Sequence, residues 1–244
     1  MYNALVRLGK AVAGKPLGRW FQRHQSENYL RFDIPYEEKL ARHPEVFLEG
    51  DAVRRGALFL AIRTLKAEGI EGSFAEVGVY KGTTSRLIHR QDPERRMLLF
   101  DTFAGFDQRD LASERNPAGA NSNGDHRFTD TSVEGVLAFM EANDQVEVRQ
   151  GWFPETTAGL ESERYALVSL DADKYGPTIA GLDYFFPRLA AGGYLFLHDY
   201  NSPESNRDVA RAVREFMADK AESPVEIPDL NGSLVIRKNR NVAG

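Results

Sequence analysis

Residues 166–201, ALVSLDADKYGPTIAGLDYFFPRLAAGGYLFLHDYN, read as strand, crossover helix, turn and strand. The first five, Ala166 to Leu170, form the short apolar run of a parallel strand covered on both faces. From Ile179, the apolar residues Leu182, Phe185, Phe186 and Leu189 recur at 3, 6, 7 and 10, which is one face of a helix. Pro187 tightens or ends that helix, Gly192-Gly193 is expected to reverse the chain, and Tyr194 to Leu197 is again strand-like. Two strands joined by a helical crossover must be parallel, so both carboxyl ends lie on one edge of the sheet. Asp171 and Asp173 leave the first strand at that edge, and His198 and Asp199 leave the second. In neighbouring strands, about 4.8 Å apart, Asp171 and Asp199 can aim at one point. Ligands bind at this edge of an open α/β sheet, and converging carboxylates there call for a cation or a proton. A plainer reading stands beside this one: Asp173 caps the following helix, and His198 is a hydrogen-bonded strand-end residue.

Working outward, residues 72–79, GSFAEVGV, form the first strand of the same sheet and run into Gly78-Val79-Tyr80-Lys81-Gly82 and a helix from Thr83 to His89. A glycine-bearing strand-to-helix turn lets a ligand approach the backbone at a helix N-terminus. Tyr80 breaks the dinucleotide spacing G-x-G-x-x-G, and Glu76 is an acid in an apolar run. Such a carboxylate suits an ammonium group and would repel a pyrophosphate. Arg96 to Asp101 is the second strand, and an acid about 20 residues past a glycine turn commonly accepts hydrogen bonds from ribose hydroxyls. Residues 107–125 are polar and rich in Asn, Gly and Ser, a long loop suited to covering a site, with His126 at its end. Further helices are expected at 49–70, through Val53, Leu58, Leu60, Ala61 and Leu65, at 129–143 and at 204–220. Val146 to Val148 is strand-like. Val225 to Ile227 and Ser233 to Ile236 read as a closing hairpin around Asn231-Gly232.

At 244 residues the chain fits one core domain with an appendage. Its 42% apolar and 27% charged residues are those of an ordinary soluble globular protein. A net charge of -5 supplies no general attraction to nucleic acid. The absence of cysteine rules out disulfides, thiol nucleophiles and Cys-ligated zinc, and fits the cytoplasm. No apolar run reaches the ~20 residues of a membrane span. Charge is uneven along the chain. Arg7, Lys10, Lys15, Arg19 and Arg23 face no acid before Glu27, while the rest carries 26 basic and 36 acidic residues. With Leu5, Leu8, Val12, Trp20 and Phe21, this basic amphipathic arm is expected to pack on its own acidic body or on a second subunit. Tyr36, His43 and Phe47 follow in a Pro-broken lead-in.

Taken together, FAEVGVYKGTTS, LLFDTFAGFD, HRFTDTS, VRQGWFPET and the stretch from Leu167 to Tyr200 follow the order and spacing of the macrocin O-methyltransferase family. The resemblance covers about residues 70–220. It implies an α/β, Rossmann-like class I methyltransferase fold: a mostly parallel seven-stranded sheet with an N-terminal helical cap. Residues 1–70 would form the arm and cap, and 71–244 the domain that binds S-adenosylmethionine. The family acts on sugar hydroxyls of natural products with a divalent metal. By resemblance, Glu76, Gly78, Tyr80 and Gly82 match the first cofactor loop and Asp101 the ribose-binding acid. Ser132 and Trp152 fall in blocks that line the cofactor pocket. Asp171 matches a metal carboxylate and is also a candidate base, as is His126, which reads equally as a solvent-facing loop histidine. Where the family continues its last strand into Asp-Asp-Tyr, this chain has His198-Asp199-Tyr200. Asp199 keeps one metal position, and His198 replaces the other.

The metal expected is magnesium on an oxygen site, with manganese or another ion open because imidazole suits softer ions. The reading is therefore an S-adenosylmethionine-dependent O-methyltransferase with a small-molecule substrate, no nucleic-acid partner and a homodimeric assembly. Two alternatives remain. One is a nicotinamide-dependent oxidoreductase, against which Tyr80 and Glu76 argue; the other is a methyltransferase-fold binding module without catalytic metal.

Overall fold

The structure is a computed structural model and describes residues 51–112, 126–202 and 207–240. The basic arm, the lead-in with Tyr36, His43 and Phe47, most of the 107–125 loop and the start of the helix drawn from Glu204 lie outside the described residues. The chain forms two compact units, Met1–Gly56 and Ala57–Gly244, and the second carries the sheet.

Helix α1 spans Ala52–Ala67. It starts at Ala52 because the Asp51 carboxylate accepts from the Val53 and Arg54 amides at 2.9 and 3.2 Å, a cap that the apolar pattern does not reveal. Its buried face uses Leu58, Phe59, Ile62 and Leu65, with Phe59 and Ile62 doing what the pattern gave to Leu60. There follow β1 (Ser73–Val77), α2 (Thr83–Gln91), β2 (Met97–Asp101), α3 (Gln108–Ala112), α4 (Val133–Met140) and β3 (Val146–Gln150). The second half of the chain gives β4 (Tyr165–Leu170), α5 (Tyr175–Phe185), β5 (Leu189–Leu197), α6 (Asp208–Met217), β6 (Val225–Ile227) and β7 (Ser233–Arg237). Among the described residues no helix is long and apolar enough to cross a membrane.

The strands form one seven-stranded sheet in the order β3-β2-β1-β4-β5-β7-β6. Strands β1 to β5 pair in parallel, whereas β7 runs antiparallel to both β5 and β6. The chain winds outward from β1 in both directions, so a crevice opens beyond the carboxyl ends of β1 and β4, where the winding reverses. Every residue of β1 and β4 is buried, as expected for strands covered on both faces. Beneath the sheet, Phe153 stacks on Phe185 with ring centroids 5.8 Å apart, and Tyr165 meets Phe185 edge-on at 4.8 Å. Tyr184 donates its hydroxyl proton to the Leu160 carbonyl at 3.0 Å, and its oxygen lies 3.1 Å from the hydroxyl of the fully buried Tyr165, so both phenols of the cluster are paired.

The reversal expected at Gly192-Gly193 is not there. Phe186–Arg188 form a 3₁₀ turn, and β5 already begins at Leu189. The glycines sit inside β5 as a bulge: Tyr165 pairs with Leu189 but Leu167 pairs with Tyr194. Gly192 takes a φ of 85°, and a Cβ on Gly193 would stand 2.9 Å from the Ala166 carbonyl oxygen. Only glycine lets the extra residues pass that close to β4. Pro187 does end the helix within a turn, as its chemistry dictates. The helix expected over 129–143 is confined to Val133–Met140, because Ser132 caps its start and Glu141, with a φ of 58°, ends it.

Candidate functional site

The loop after β1 is the first wall of the site. Gly78 has a φ of 82°, and a Cβ there would lie 1.9 Å from the Asp171 carbonyl oxygen, so this loop and the one after β4 touch backbone to backbone. The Asp171 amide donates to the Val77 carbonyl at 2.9 Å and holds that contact. Tyr80 and Gly82 also take positive φ, 50° and 76°, which turns the chain into α2 within a few residues. Glu76 is only 1% exposed, and its carboxylate accepts a short hydrogen bond from the buried Ser85 hydroxyl at the start of α2. A carboxylate kept this deep at a strand end is poised for a cationic ligand group rather than a phosphate.

Asp101, at the end of β2, ties the loop after β1 to its own loop after β2. Its Oδ2 accepts from the Val79 and Tyr80 amides at 2.6 and 2.9 Å, and Oδ1 accepts from the Phe103 amide at 2.7 Å. An ionised carboxylate accepts about four hydrogen bonds, so Asp101 retains capacity for a ligand hydroxyl.

From the other half of the sheet come Asp171 after β4 and His198 and Asp199 after β5. The Leu170–Leu197 register and the bond from the His198 amide to the Leu170 carbonyl at 3.0 Å set these residues side by side. His198 Nδ1 lies 2.9 Å from Asp171 Oδ1 and 3.3 Å from Asp199 Oδ2. One donor atom from each residue falls within 4.8 Å of the other two, and this is the one such group among the described residues. Asp173 is not the helix cap, a place held by Lys174. Its side chain lines the cavity, where lost hydration, with Asp171 and Asp199 beside it, pushes its carboxyl up to about 9. Burial works against the Asp199 carboxylate too, but hydrogen bonds from His198 and Asp173 outweigh it and hold that group below the usual range.

These two walls enclose a single cavity of about 370 Å³, within the range of small-molecule sites. Glu76, Gly78, Tyr80 and Asp101 line it from β1 and β2, and Asp171, His198 and Asp199 from β4 and β5. Four other expected site residues have different work. Gly82 faces α4, where a Cβ would meet Val136 at 2.9 Å. Ser132 caps α4, its hydroxyl accepting from the Gly135 amide at 3.1 Å. Trp152 donates its indole N–H to Asp110 at 3.0 Å and lies under the Arg109 guanidinium at 3.9 Å. His126 is exposed and engages Thr129 through its backbone carbonyl alone among the bonds described. None of the four lines the cavity.

Phe106, Arg127 and Phe128 also stand on the wall and escaped the sequence reading. Tyr80, Phe128 and Phe106 meet edge-on at centroid distances of 5.0 and 5.4 Å, and Arg127 lies over both phenylalanines. Asp130 clamps this aromatic wall by accepting from the Tyr80 hydroxyl at 2.8 Å and from Lys81 at 2.5 Å. Asn231, at the tip of the β6–β7 hairpin, and Ser202 complete the side near Asp199. The recurrence of an aromatic next to an acid or Thr-Asp, in Phe106-Asp107 and Phe128-Thr129-Asp130, is the only sequence trace of that wall.

The donor chemistry fits the groups that the fold implies. Two carboxylate oxygens and one ring nitrogen within reach of one another suit a dication. The Gly78 cradle with Glu76 and Asp101 suits a nucleoside carrying an ammonium group.

A family model described as macrocin-O-methyltransferase matches residues 51–235. The 8-demethyl-8-(2,3-dimethoxy-alpha-L-rhamnosyl)-tetracenomycin-C 4'-O-methyltransferase of Streptomyces olivaceus is 32% identical over 157 residues, 57% of this chain and 57% of that enzyme. The mycinamicin III 3''-O-methyltransferase of Micromonospora griseorubida is 29% identical over 150 residues, 56% of this chain and 58% of its own. The matched part thus spans somewhat over half the length of these relatives. Among solved structures, the O-methyltransferase NovP superposes with a TM-score of 0.64 at 23% identity, covering 78% of this chain and 81% of NovP. The calicheamicin methyltransferase CalS11 superposes with a TM-score of 0.60 at 19% identity, covering 93% and 94%. At such identities the superpositions show the fold, and it is the class I methyltransferase sheet.

Proposed function

The chain belongs to the macrocin O-methyltransferase family, and from that premise we propose that it transfers a methyl group from S-adenosylmethionine to a hydroxyl of a sugar or glycosylated natural product. The observation that carries this reading is one cavity with two chemistries on its walls: Glu76 and Asp101 on one side, the Asp171–His198–Asp199 group on the other. S-Adenosylmethionine supplies an electrophilic sulfonium methyl, and a divalent ion held by Asp171, His198 and Asp199 would acidify and orient a nearby hydroxyl.

The chain's own residues do the rest. Glu76, locked by Ser85, offers fixed negative charge to the cofactor's amino group, and Asp101 offers its remaining acceptor capacity to the ribose. Tyr80, Phe106 and Phe128 exclude water from the reacting centre, which strengthens each of these contacts. Asp171 lines the cavity and is held by His198, so it is placed to take the hydroxyl proton. The exposed His126, off the cavity wall, has no such placement. Ser202 and Asn231 face the acceptor side. The division into arm and cap, 1–70, and cofactor domain, 71–244, together with cytoplasmic location and self-association, belongs to the same reading.

The test is calorimetry with S-adenosylhomocysteine, followed by incubation with S-adenosylmethionine and a panel of 6-deoxyhexosides, read by mass spectrometry. Binding heat and a mass gain of one methylene are expected. Absence of both across the panel overturns the proposal.

A further inference from the structure

The divalent ion is conventionally assigned to magnesium when carboxylates alone hold it, and here they do not. The three converging donors are Asp171 Oδ1, Asp199 Oδ2 and His198 Nδ1, with the nitrogen 2.9 and 3.3 Å from the two oxygens. His198 cannot easily turn away. Its amide is pinned to the Leu170 carbonyl, its neighbour Leu197 is fully buried in β5, and its ring is 13% exposed. Asp173, although on the same cavity wall, is not in the group of donors that converge within 4.8 Å. A nitrogen is therefore a built-in part of the set.

Magnesium binds hard oxygens in near-ideal octahedra and gives up its water reluctantly, so an imidazole in its sphere brings little. First-row dications accept imidazole nitrogen with avidity that rises from manganese through cobalt to nickel and copper and falls again at zinc. We propose that this site selects a first-row transition-metal dication over magnesium, with His198 Nδ1 as the ligand that decides the preference. The inference rests on the metal-binding part of the function proposed above and goes beyond it in naming the class of ion. A ligating Nδ1 must carry no proton, so the ring proton resides on Nε2 when the ion is bound.

The experiment uses the full chain, stripped with chelator and titrated calorimetrically at one fixed pH with Mg²⁺, Mn²⁺ and Co²⁺ in turn. Mn²⁺ and Co²⁺ are expected to bind about tenfold or more tighter than Mg²⁺. Pulsed EPR of the Mn²⁺ complex is expected to show coupling to a directly bonded ¹⁴N. In His198→Asp that coupling is lost and the preference over Mg²⁺ shrinks to about twofold or less. The wild-type EPR signal keeps the test decisive if the variant does not fold. Equal or tighter binding of Mg²⁺, or a Mn²⁺ complex without the nitrogen coupling, overturns the inference and leaves the proposed function standing. Failure of all three ions to bind overturns the metal part of that function, and this inference with it. Heat on adding S-adenosylhomocysteine in the presence of chelator tests the cofactor part on its own.

Discussion

Gly78 is where the two walls of the site meet, because its missing side chain is what allows the Asp171 carbonyl to come so close. Gly78→Ala would need about 3 kcal/mol or more from overpacking and left-handed strain together. Urea unfolding should show that loss, and calorimetry should show that S-adenosylhomocysteine no longer binds. Asp171 separates from this structural role through its side chain. Asp171→Asn keeps the backbone contact and is expected to lower methyl transfer by about 100-fold or more. Its affinity for S-adenosylhomocysteine should stay within roughly threefold of the wild type, since Glu76 and Asp101 are untouched. A parallel collapse of both quantities would make Asp171 a scaffold residue instead. Glu76, Asp101, Asp171 and Asp199 were all legible in the sequence, because an acid at the end of an apolar run stands out by itself. The partners of Ser132 and Trp152 were not legible, since hydrogen-bond choice depends on which neighbour folding delivers.

At the scale of elements, the 126–132 segment and the β5 bulge carry the lesson. Ser132 lies in a stretch that the family resemblance assigns to the cofactor pocket, yet its hydroxyl caps α4. Ser132→Ala should cost about 1 kcal/mol in chemical denaturation, the usual price of an N-cap. It should leave S-adenosylhomocysteine affinity unchanged; a tenfold or greater weakening, roughly the ~1.4 kcal/mol of a lost hydrogen bond, would return Ser132 to the pocket. The Gly192-Gly193 pair shows why strand limits resist sequence reading. Two glycines after a helix carry the same local signal whether they turn the chain or bulge a strand. What distinguishes the outcomes is the pairing of Gly192 and Gly193 with Lys238 on the far side, some 45 residues later. Likewise the cap residue Asp51, not the apolar period, sets where α1 begins.

The whole molecule adds a pH dependence. His89 on α2 is 4% exposed, its Nδ1 has no hydrogen-bond partner among the described residues, and burial holds its pKa below the ordinary histidine value. As pH falls through about 6.5 the unfolded chain takes up this proton before the folded one, so stability is complete above that pH and declines below it. Urea midpoints at pH 7.5 and 5.5 should therefore fall further for the wild type than for His89→Leu; equal falls would show that His89 is not the group responsible. Read by itself, the sequence determined the parallel pairing of β4 with β5, the closing hairpin and the edge on which the acids gather, while the seven-stranded sheet was implied by the family resemblance. Hydrophobic period and crossover handedness are properties of short stretches, and they leave few topologies open. Only the tertiary structure decided that Phe106, Arg127 and Phe128 close the cavity, that His198 turns its Nδ1 between two carboxylates, and that Trp152 serves Asp110 rather than the cavity. Those outcomes depend on side chains from distant elements competing for the same space and the same hydrogen bonds, and no local pattern encodes that competition.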